Sequence, residues 1–483
     1  MNSRRKIMDM GMEPNLQKNN FKRYFFQKRS NWIFFSLPLL SILPILYLFL
    51  SFEEAGFGYD IGIYHRTAID YYASFFNPKL PGFAFSAFSN FIFSVGDSVF
   101  SFLREWYILL AFFTSMSFGI YIKKITQSTL VAVISIVLLG SSIIHFEFLQ
   151  AFYYRNLLGF FLMFVSLLLF EYKSYLVSIP LITLTAIHPL TALVIFPCIL
   201  SKIFFQKIDS KLLLTTFAIT TLGAFILSAQ EFLRYFHTFI EFTFNNAEVL
   251  AISTELTGQF IHFFEFLQLT APYLPFAVIG LYKFWSKYSF WTTFVILNIT
   301  LILSKFFLFE RYYVFLNIGI IFFAALGINF LLSCTPQKYK IPLILIYVYI
   351  LVFAQWFYIL NDQNTISHEE LKDIKGINEL IPEKSSIVSW SSYYAPWIYG
   401  FSGNHKIIAP GVLHENKWDY STWKKFWMQK DAHERKEMLK IYGEDEIYIY
   451  SGKKFLFDAK NIFENDPHME SITPTLWKYR FSL

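Results

Sequence analysis

The stretch WIFFSLPLLSILPILYLFL, from Trp32 to Leu50, is an uncharged apolar run. It has the length that crosses a hydrocarbon core of roughly 30 Å as a helix. Comparable runs recur as far as Leu360, and none of them carries a row of charges. Because these runs are continuously apolar rather than alternating, they argue against barrel strands. The sequence therefore predicts an α-helical polytopic membrane protein.

The composition supports the same class. Of the 483 residues, 55% are hydrophobic and only 16% are charged, against about 25% charged in typical soluble domains. The net charge of +6 comes mainly from Lys and Arg beside the apolar runs. It therefore indicates orientation by the positive-inside rule, and no nucleic-acid partner is expected. Cys198 and Cys334 are the only cysteines, and the topology predicted from charge places both near the cytoplasmic side, so no disulfide or zinc framework is expected.

Hydropathy predicts about eleven transmembrane helices, and about ten or twelve are the alternatives. The ends of each span are uncertain by about two to four residues. The predicted spans are Trp32 to Leu50, Trp106 to Ile122, Leu130 to Ile144, Leu157 to Phe170, Leu176 to Ile187, Leu190 to Phe205, Leu212 to Leu227, Phe266 to Tyr282, Phe290 to Ser304, Tyr313 to Leu332 and Ile341 to Leu360. Charge separates the fifth span from the sixth. With a hairpin at His188-Pro189, Lys173 and Lys202 both fall on the cytoplasmic side, whereas one long helix would place them on opposite sides.

This topology divides the chain into three parts. Residues 1–30 are a basic cytoplasmic N-terminus without an evident cleavable signal. Residues 31–360 are the transmembrane domain, with a first outer loop at 51–105. Residues 361–483 follow outside the cell membrane, that is, the plasma or inner membrane. They contain the helix-like HEELKDIKGINELIP and the strand-like SSIVSW and DEIYIYSG, which predict a small extracytoplasmic α/β domain.

The stretch GFGYDIGIYHRTAIDYY, Gly56 to Tyr72, follows the first span and collects polar residues at the mouth of an apolar bundle. Asp60 begins a segment whose amphipathic pattern predicts a helix in the membrane interface. Asp60 could be only the N-cap of that helix. Capping does not account for Glu54, Arg66 and Asp70 nearby, where isolated charges are costly and usually mark function.

Three further polar clusters are expected on the same outer face. HFEFLQAFYYRN contains Glu147 and Arg155, which could form a structural ion pair. His188 lies in the next outer turn, as a structural histidine or as a ligand. KFFLFERYYVF supplies Lys305 and Arg311. Snorkelling of a long basic side chain to the membrane interface readily explains one basic residue at a helix end, but two less easily.

Together these clusters suit a lipid-phosphate site, in which cations hold the anion and a carboxylate accepts a proton from an attacking hydroxyl. A proton-coupled transporter would instead place ionisable groups near the middle of the membrane, where this chain has almost none.

Several of these motifs resemble the GT-C superfamily of integral-membrane glycosyltransferases, especially the branch of protein mannosyltransferases and aminoarabinose transferases. In YDIGIY, Asp60 and Tyr64 resemble the acidic motif after the first span. YYRNLLGFFLMFVSLLLF resembles the segment in which an arginine, here Arg155, opens the fourth span, and HPLTALVIFP resembles the small hairpin. The extracytoplasmic tail is similar to the soluble domain of the family.

The resemblance implies an inverting transfer of a sugar from a polyprenyl-phosphate donor to a lipid, glycan or protein acceptor on the outer face. It implies Asp60 as general base. Residues implied near the donor phosphate or substrate are Tyr64, Arg66, Arg155, His188, Lys305 and Arg311. Many members carry a second acid where Ile61 and Asn156 stand here, so Glu147, Glu54 and Asp70 are the candidates for that role.

No cofactor is certain from the sequence. A divalent metal stays open, although no motif indicates a metal site. Membrane lipids are the remaining expected partners. Two alternatives are a lipid-linked glycan polymerase or ligase, which usually has its large domain between spans, and a glycolipid flippase or transporter, which would show inverted repeats or a polar central cavity.

Overall fold

A computed structural model describes residues 36–51, 58, 60–66, 99–206, 214–223, 261–306, 309–361, 366–410, 414–428, 431–443, 446–464 and 466–481. The predicted N-terminal segment 1–30 and most of the first outer loop lie outside the described residues, and so do Glu54 and Asp70.

The membrane part is helical. The helices are α1 (Pro38–Ser51), α2 (61–66), α3 (Val99–Thr126), α4 (Thr129–Gly140), α5 (Ile143–Gln150), α6 (Tyr154–Glu171), α7 (Ser178–Ile187), α8 (Pro189–Gln206), α9 (Leu214–Gly223), α10 (Phe263–Thr270), α11 (Leu274–Phe284), α12 (Ser289–Leu303), α13 (Tyr312–Cys334) and α14 (Gln337–Asn361). Short 3₁₀ turns at Tyr175–Val177 and Phe309–Arg311 precede α7 and α13.

Four described helices, α3, α6, α13 and α14, are long and apolar enough to cross a membrane. Two bent pairs raise that number to as many as six: α4 and α5 meet at 54°, and α10 and α11 meet at 84°. The chain is therefore a multi-pass membrane protein by length and composition. The number of about eleven spans stays a prediction, because α7, α8, α9 and α12 are apolar but too short to count by length alone.

The break predicted at His188 is present, since α7 ends at Ile187 and α8 begins at Pro189. Lys202, near the end of α8, forms an ion pair with Glu171, the last residue of α6. This pair places the C-terminal ends of α6 and α8 at the same level. The chain between them must therefore leave that level and return to it, as a hairpin does.

Helix α13 is the centre of the bundle, buried along nearly its whole length. Its contact with α11 is made backbone to backbone: a Cβ at Gly280 would overlap the carbonyl of Phe323, and one at Gly327 would overlap the carbonyl of Phe276. Membrane helices, which gain little from the hydrophobic effect against each other, use such small residues to approach closely.

A closed polar triad lies where the two bent pairs meet α13. Tyr273 Oη donates to Asn317 Oδ1 at 2.6 Å, and Asn317 Nδ2 donates to Ser142 Oγ at 3.1 Å. Ser142 Oγ lies 3.2 Å from Tyr273 Oη, which closes the ring. All three side chains are buried, and each satisfies the others in a region that offers little water.

The C-terminal part is a mixed α/β domain, as predicted. Its helices are α15 (His368–Leu380), α16 (Ala395–Phe401), α17 (Tyr420–Met428), α18 (Ala432–Lys440) and α19 (Leu456–Phe463). Its strands are β1 (Ser386–Ser389), β2 (Lys406–Ile408), β3 (Glu446–Tyr450), β4 (Met469–Ser471) and β5 (Leu476–Arg480). The sheet order is β2-β1-β3-β5-β4, with β1, β2 and β3 parallel and the other two pairings antiparallel.

Alternation along β3 divides this domain into two apolar layers. Ile447 and Ile449 belong to the core formed with α17, α18 and α19. Tyr448 and Tyr450 belong to the layer that is continuous with the membrane bundle. One face of the sheet is thus covered by α17, α18 and α19, and the other lies toward the bundle through α15 and α16.

Candidate functional site

Asp60 lies directly before α2. The backbone there packs against the turn between α5 and α6. The Asp60 N–H donates to the carbonyl of Ala151 at 3.2 Å. Gly58, with φ +99°, permits this close passage, because a Cβ there would overlap the Gln150 carbonyl. Asp60 is only 7% exposed, and its Oδ1 accepts no hydrogen bond from the described residues. Capping through that oxygen therefore does not explain why the carboxyl is buried.

Two guanidinium groups lie within electrostatic reach of this carboxyl, those of Arg311 and Arg155. Burial raises the pKa of Asp60 from 3.8 to about 6, and the two arginines oppose that rise. The carboxylate is therefore the main form at neutral pH and still has appreciable proton affinity, which suits a general base.

Aromatic side chains surround Asp60 and the two arginines. Tyr64, one turn after Asp60, accepts a hydrogen bond through Oη from the Arg155 N–H at 3.4 Å. Arg311 lies over the ring of Tyr153, 5.1 Å from its centroid. Tyr153 is also within electrostatic reach of Asp60 and of the buried Glu310. The Tyr153 ring thus holds the Arg311 guanidinium, and the Tyr64 hydroxyl holds the backbone at Arg155.

His188 occupies the turn before α8 and is oriented by Thr191. The Thr191 N–H donates to His188 Nδ1 at 3.3 Å, and Thr191 Oγ1 lies 2.5 Å from the same nitrogen. A backbone N–H can only donate, so Nδ1 is an acceptor and the proton of the neutral ring is on Nε2. Burial of the ring disfavours an imidazolium, and Arg311 and Arg155, both within electrostatic reach, act in the same direction.

The structure therefore brings together four residues singled out in the sequence: Asp60, Arg155, His188 and Arg311. Tyr64 belongs to the same group. Their chemistry is a buried carboxylate beside two fixed cations and a neutral N–H donor. Such a site can bind an anionic group and accept a proton next to it.

Three of the other predicted site residues, Glu147, Lys305 and Arg66, lie within the described part of the chain. Glu147 is half-buried on α5, and Lys305 is exposed after α12. Arg66 is directed to the C-terminal domain, where its Nη1 and Nη2 donate to Gly403 O at 3.0 Å and Asn404 Oδ1 at 2.7 Å. These hydrogen bonds indicate a docking role, and the predicted contact of Arg66 with substrate stays a prediction. Glu54 and Asp70 are not described.

Thr191 was expected beside His188 from the sequence, whereas Tyr153 was not singled out. Tyr153 stands in YYRN, two residues before Arg155. No group of three or more His, Cys, Asp or Glu suited to a metal ion occurs among the described residues.

No protein-family model and no curated protein matches the sequence. Among solved structures, the chain is similar to the archaeal oligosaccharyltransferase AglB from Archaeoglobus fulgidus, in complex with an inhibitory peptide and a dolichol-phosphate. The TM-score is 0.61 at 10% identity, over 87% of this chain and 69% of that one. AglB is a GT-C enzyme. The resemblance inferred from the sequence is thus confirmed at the level of the fold: this chain has a GT-C fold.

Proposed function

We propose that this protein is a membrane glycosyltransferase that moves a sugar from a polyprenyl-phosphate donor to an acceptor hydroxyl or amide on the outer face of the membrane. One observation carries the proposal: the buried carboxylate of Asp60, with an Oδ1 unbonded among the described residues, lies beside Arg155 and Arg311. A buried acid that is neither hydrogen-bonded at that atom nor exposed is a costly arrangement, and function is the usual reason to keep it.

The chemistry follows from the placement of these groups. Asp60 accepts the proton of the acceptor as the acceptor atom attacks the anomeric carbon. The bond from that carbon to the phosphate oxygen breaks as the new bond forms on the opposite face, so the configuration inverts. The electron pair leaves with the phosphate, where negative charge develops.

The remaining groups of the site match that developing charge. Arg155 and Arg311 are permanent cations, and charge-assisted hydrogen bonds from guanidinium to phosphate are among the strongest in proteins. His188 offers Nε2–H as a neutral donor. Because these donors are held by packing before substrate arrives, they stabilise the leaving phosphate without reorganisation.

The similar solved structure, AglB, supports the kinds of substrate proposed. AglB was solved in complex with an inhibitory peptide and a dolichol-phosphate, and the second of these is a lipid phosphate. For this chain a lipid-phosphate donor is consistent with a cationic site at the end of apolar helices. The acceptor is proposed as a lipid, a glycan or a protein.

The test is transfer of labelled sugar from a panel of polyprenyl-phosphate sugars by purified protein in lipid, with wild type beside Asp60→Asn. We expect product from at least one donor with wild type, and its loss in the variant. Normal product from Asp60→Asn would remove Asp60 from the mechanism. Folded wild-type protein that hydrolyses or transfers no sugar from any donor, but carries labelled glycolipid across vesicles, would replace transfer with transport.

A further inference from the structure

Helix α2, which follows Asp60, is held from two sides. On the membrane side, the Asp60 N–H bonds to the Ala151 carbonyl, and Tyr64 Oη accepts from the Arg155 N–H. On the other side lies α16 of the C-terminal domain, more than 300 residues later in the chain. The proposed base thus sits between the bundle and a domain to which it is not adjacent in sequence.

The contact between α2 and α16 is made by two glycines. A Cβ at Gly62 would overlap the carbonyl of Pro396, and a Cβ at Gly400 would overlap the backbone of Gly62. The two short helices therefore touch backbone to backbone. Neither position has room for even a methyl group unless one helix moves.

Polar contacts continue this junction along α2. His65 Nδ1 lies 2.8 Å from the Gly400 carbonyl, and its ring stacks on Phe401 with centroids 4.5 Å apart. The two hydrogen bonds of Arg66 to Gly403 and Asn404 extend it by another residue. His65 is partly buried there, and burial lowers its pKa, so it is a neutral ring at neutral pH.

We propose that the C-terminal domain positions the catalytic base: the Gly62–Gly400 junction fixes α2, and with it the Asp60 carboxyl, at the distance from Arg155 and Arg311 that transfer requires. Gly62, Gly400, His65 and Arg66 are positioning residues in this view, since none of them contacts the reacting atoms. The inference rests on the proposed function for its kinetic test, but the junction itself is tested independently below.

The proposal separates two kinetic quantities. The groups that the proposed function assigns to the donor phosphate do not belong to α2: Arg155 lies at the start of α6, His188 in the break before α8 and Arg311 in the 3₁₀ turn before α13. Displacing α2 should therefore lower kcat and leave the KM for the donor unchanged. A misplacement near 1 Å costs roughly 100-fold in rate for a positioned group.

The kinetic experiment compares Gly62→Ala and Gly400→Ala with a matched control, Gly376→Ala, in the full-length protein. Gly376 lies in α15 of the same domain, and a Cβ there would meet nothing within 4 Å. We expect kcat to fall by roughly 100-fold in both junction variants, with donor KM within about twofold of wild type, and no change in the control. Wild-type kcat in Gly400→Ala, or a loss caused by a raised donor KM, would overturn the proposal.

A second measurement needs no catalytic activity. Amide hydrogen exchange in residues 60–66 should accelerate by about tenfold or more in Gly400→Ala, although the substitution lies in the other domain, and should not change in Gly376→Ala. Unchanged exchange would overturn the junction as the support of α2. If wild type shows no transfer at all but this exchange result holds, the proposed function fails and the junction stands.

The double variant Gly62→Ala with Gly400→Ala distinguishes one shared contact from two unrelated defects. If both substitutions break the same junction, the second should add little to the loss of kcat produced by the first. Independent, multiplicative losses would show that each glycine acts elsewhere and would contradict the proposal.

Discussion

Two sites in the part of the chain that the structure describes place a buried carboxylate beside arginine, and they differ in one respect. In the C-terminal domain, Arg435 and Asp466 are almost completely buried and form a direct ion pair. Asp466 also accepts the His468 N–H at 2.9 Å through its other oxygen. At the membrane site, Asp60 is as well buried and has two arginines in electrostatic reach, yet its Oδ1 accepts nothing from the described residues.

The difference distinguishes a carboxylate that serves the structure from one that is available for a reaction. Asp466 has used its hydrogen-bonding capacity within the fold, so it can hold α18 against the segment after α19 and do nothing else. Among the described residues nothing donates to Asp60 Oδ1, and in the proposed function this oxygen accepts the proton of the acceptor. A buried carboxylate whose neighbours leave an oxygen unbonded is thus a stronger sign of a reactive site than its burial or its charge.

The same substitution at the two carboxylates should have opposite consequences. Asp60→Asn removes the base and should lower the transfer rate by about 100-fold to 10,000-fold, with thermal unfolding close to wild type. Asp466→Asn leaves a buried guanidinium without its counter-charge and should cost about 3–5 kcal/mol of stability. Thermal or denaturant unfolding and initial transfer rates should be measured on both variants. Unfolding of Asp60→Asn, or full stability of Asp466→Asn, would contradict the comparison.

Arg311 gives the next largest effect. Arg311→Met should lower kcat by roughly 100-fold, because it removes one donor to the leaving phosphate. Arg311→Lys keeps the charge without the planar fork and should recover part of that loss. Equal activity of the Met and Lys variants would mean that charge at this position does not act on the reaction.

The pH dependence of kcat/KM tests the same comparison through the protonation of Asp60. Burial raises the pKa of Asp60 to about 6, so the base is deprotonated above that value and is lost as the pH falls through it. Lowering the pH from 7 to 5 should reduce kcat/KM by about tenfold. The residual rate of Asp60→Asn should be flat over this range, and a wild-type profile that is flat as well would exclude Asp60 as the titrating group.

Thr191 should have the smallest effect. Thr191→Val removes the hydroxyl beside His188 Nδ1 but keeps the backbone N–H that defines the tautomer. A lost hydrogen bond of about 1 kcal/mol corresponds to about a fivefold change, expected in the KM for the donor. A Ser variant should behave as wild type, and a Val variant with unchanged KM would show that the backbone alone orients the ring.

Much of the bundle could be predicted because hydropathy reports which segments are buried in lipid. Charge placed the break at His188, and the expectation that polar clusters share one face brought Asp60, Arg155 and Arg311 together. Hydropathy does not report helix direction, so the bends after Gly140 and Thr270 were not predicted. The contact of Gly62 with Gly400 was beyond reach as well, because two glycines far apart in sequence leave no local pattern.

The polar triad of Ser142, Tyr273 and Asn317 has a consequence for how the protein is made. Its members are separated by 131 and 175 residues, so the ring cannot close until Asn317 has left the ribosome and entered the membrane. Until then Ser142 and Tyr273 lack one of their partners in a region where unsatisfied hydroxyls are costly. The turns beside α5, where Arg155 stands, should therefore reach their final arrangement only after α13 has been inserted.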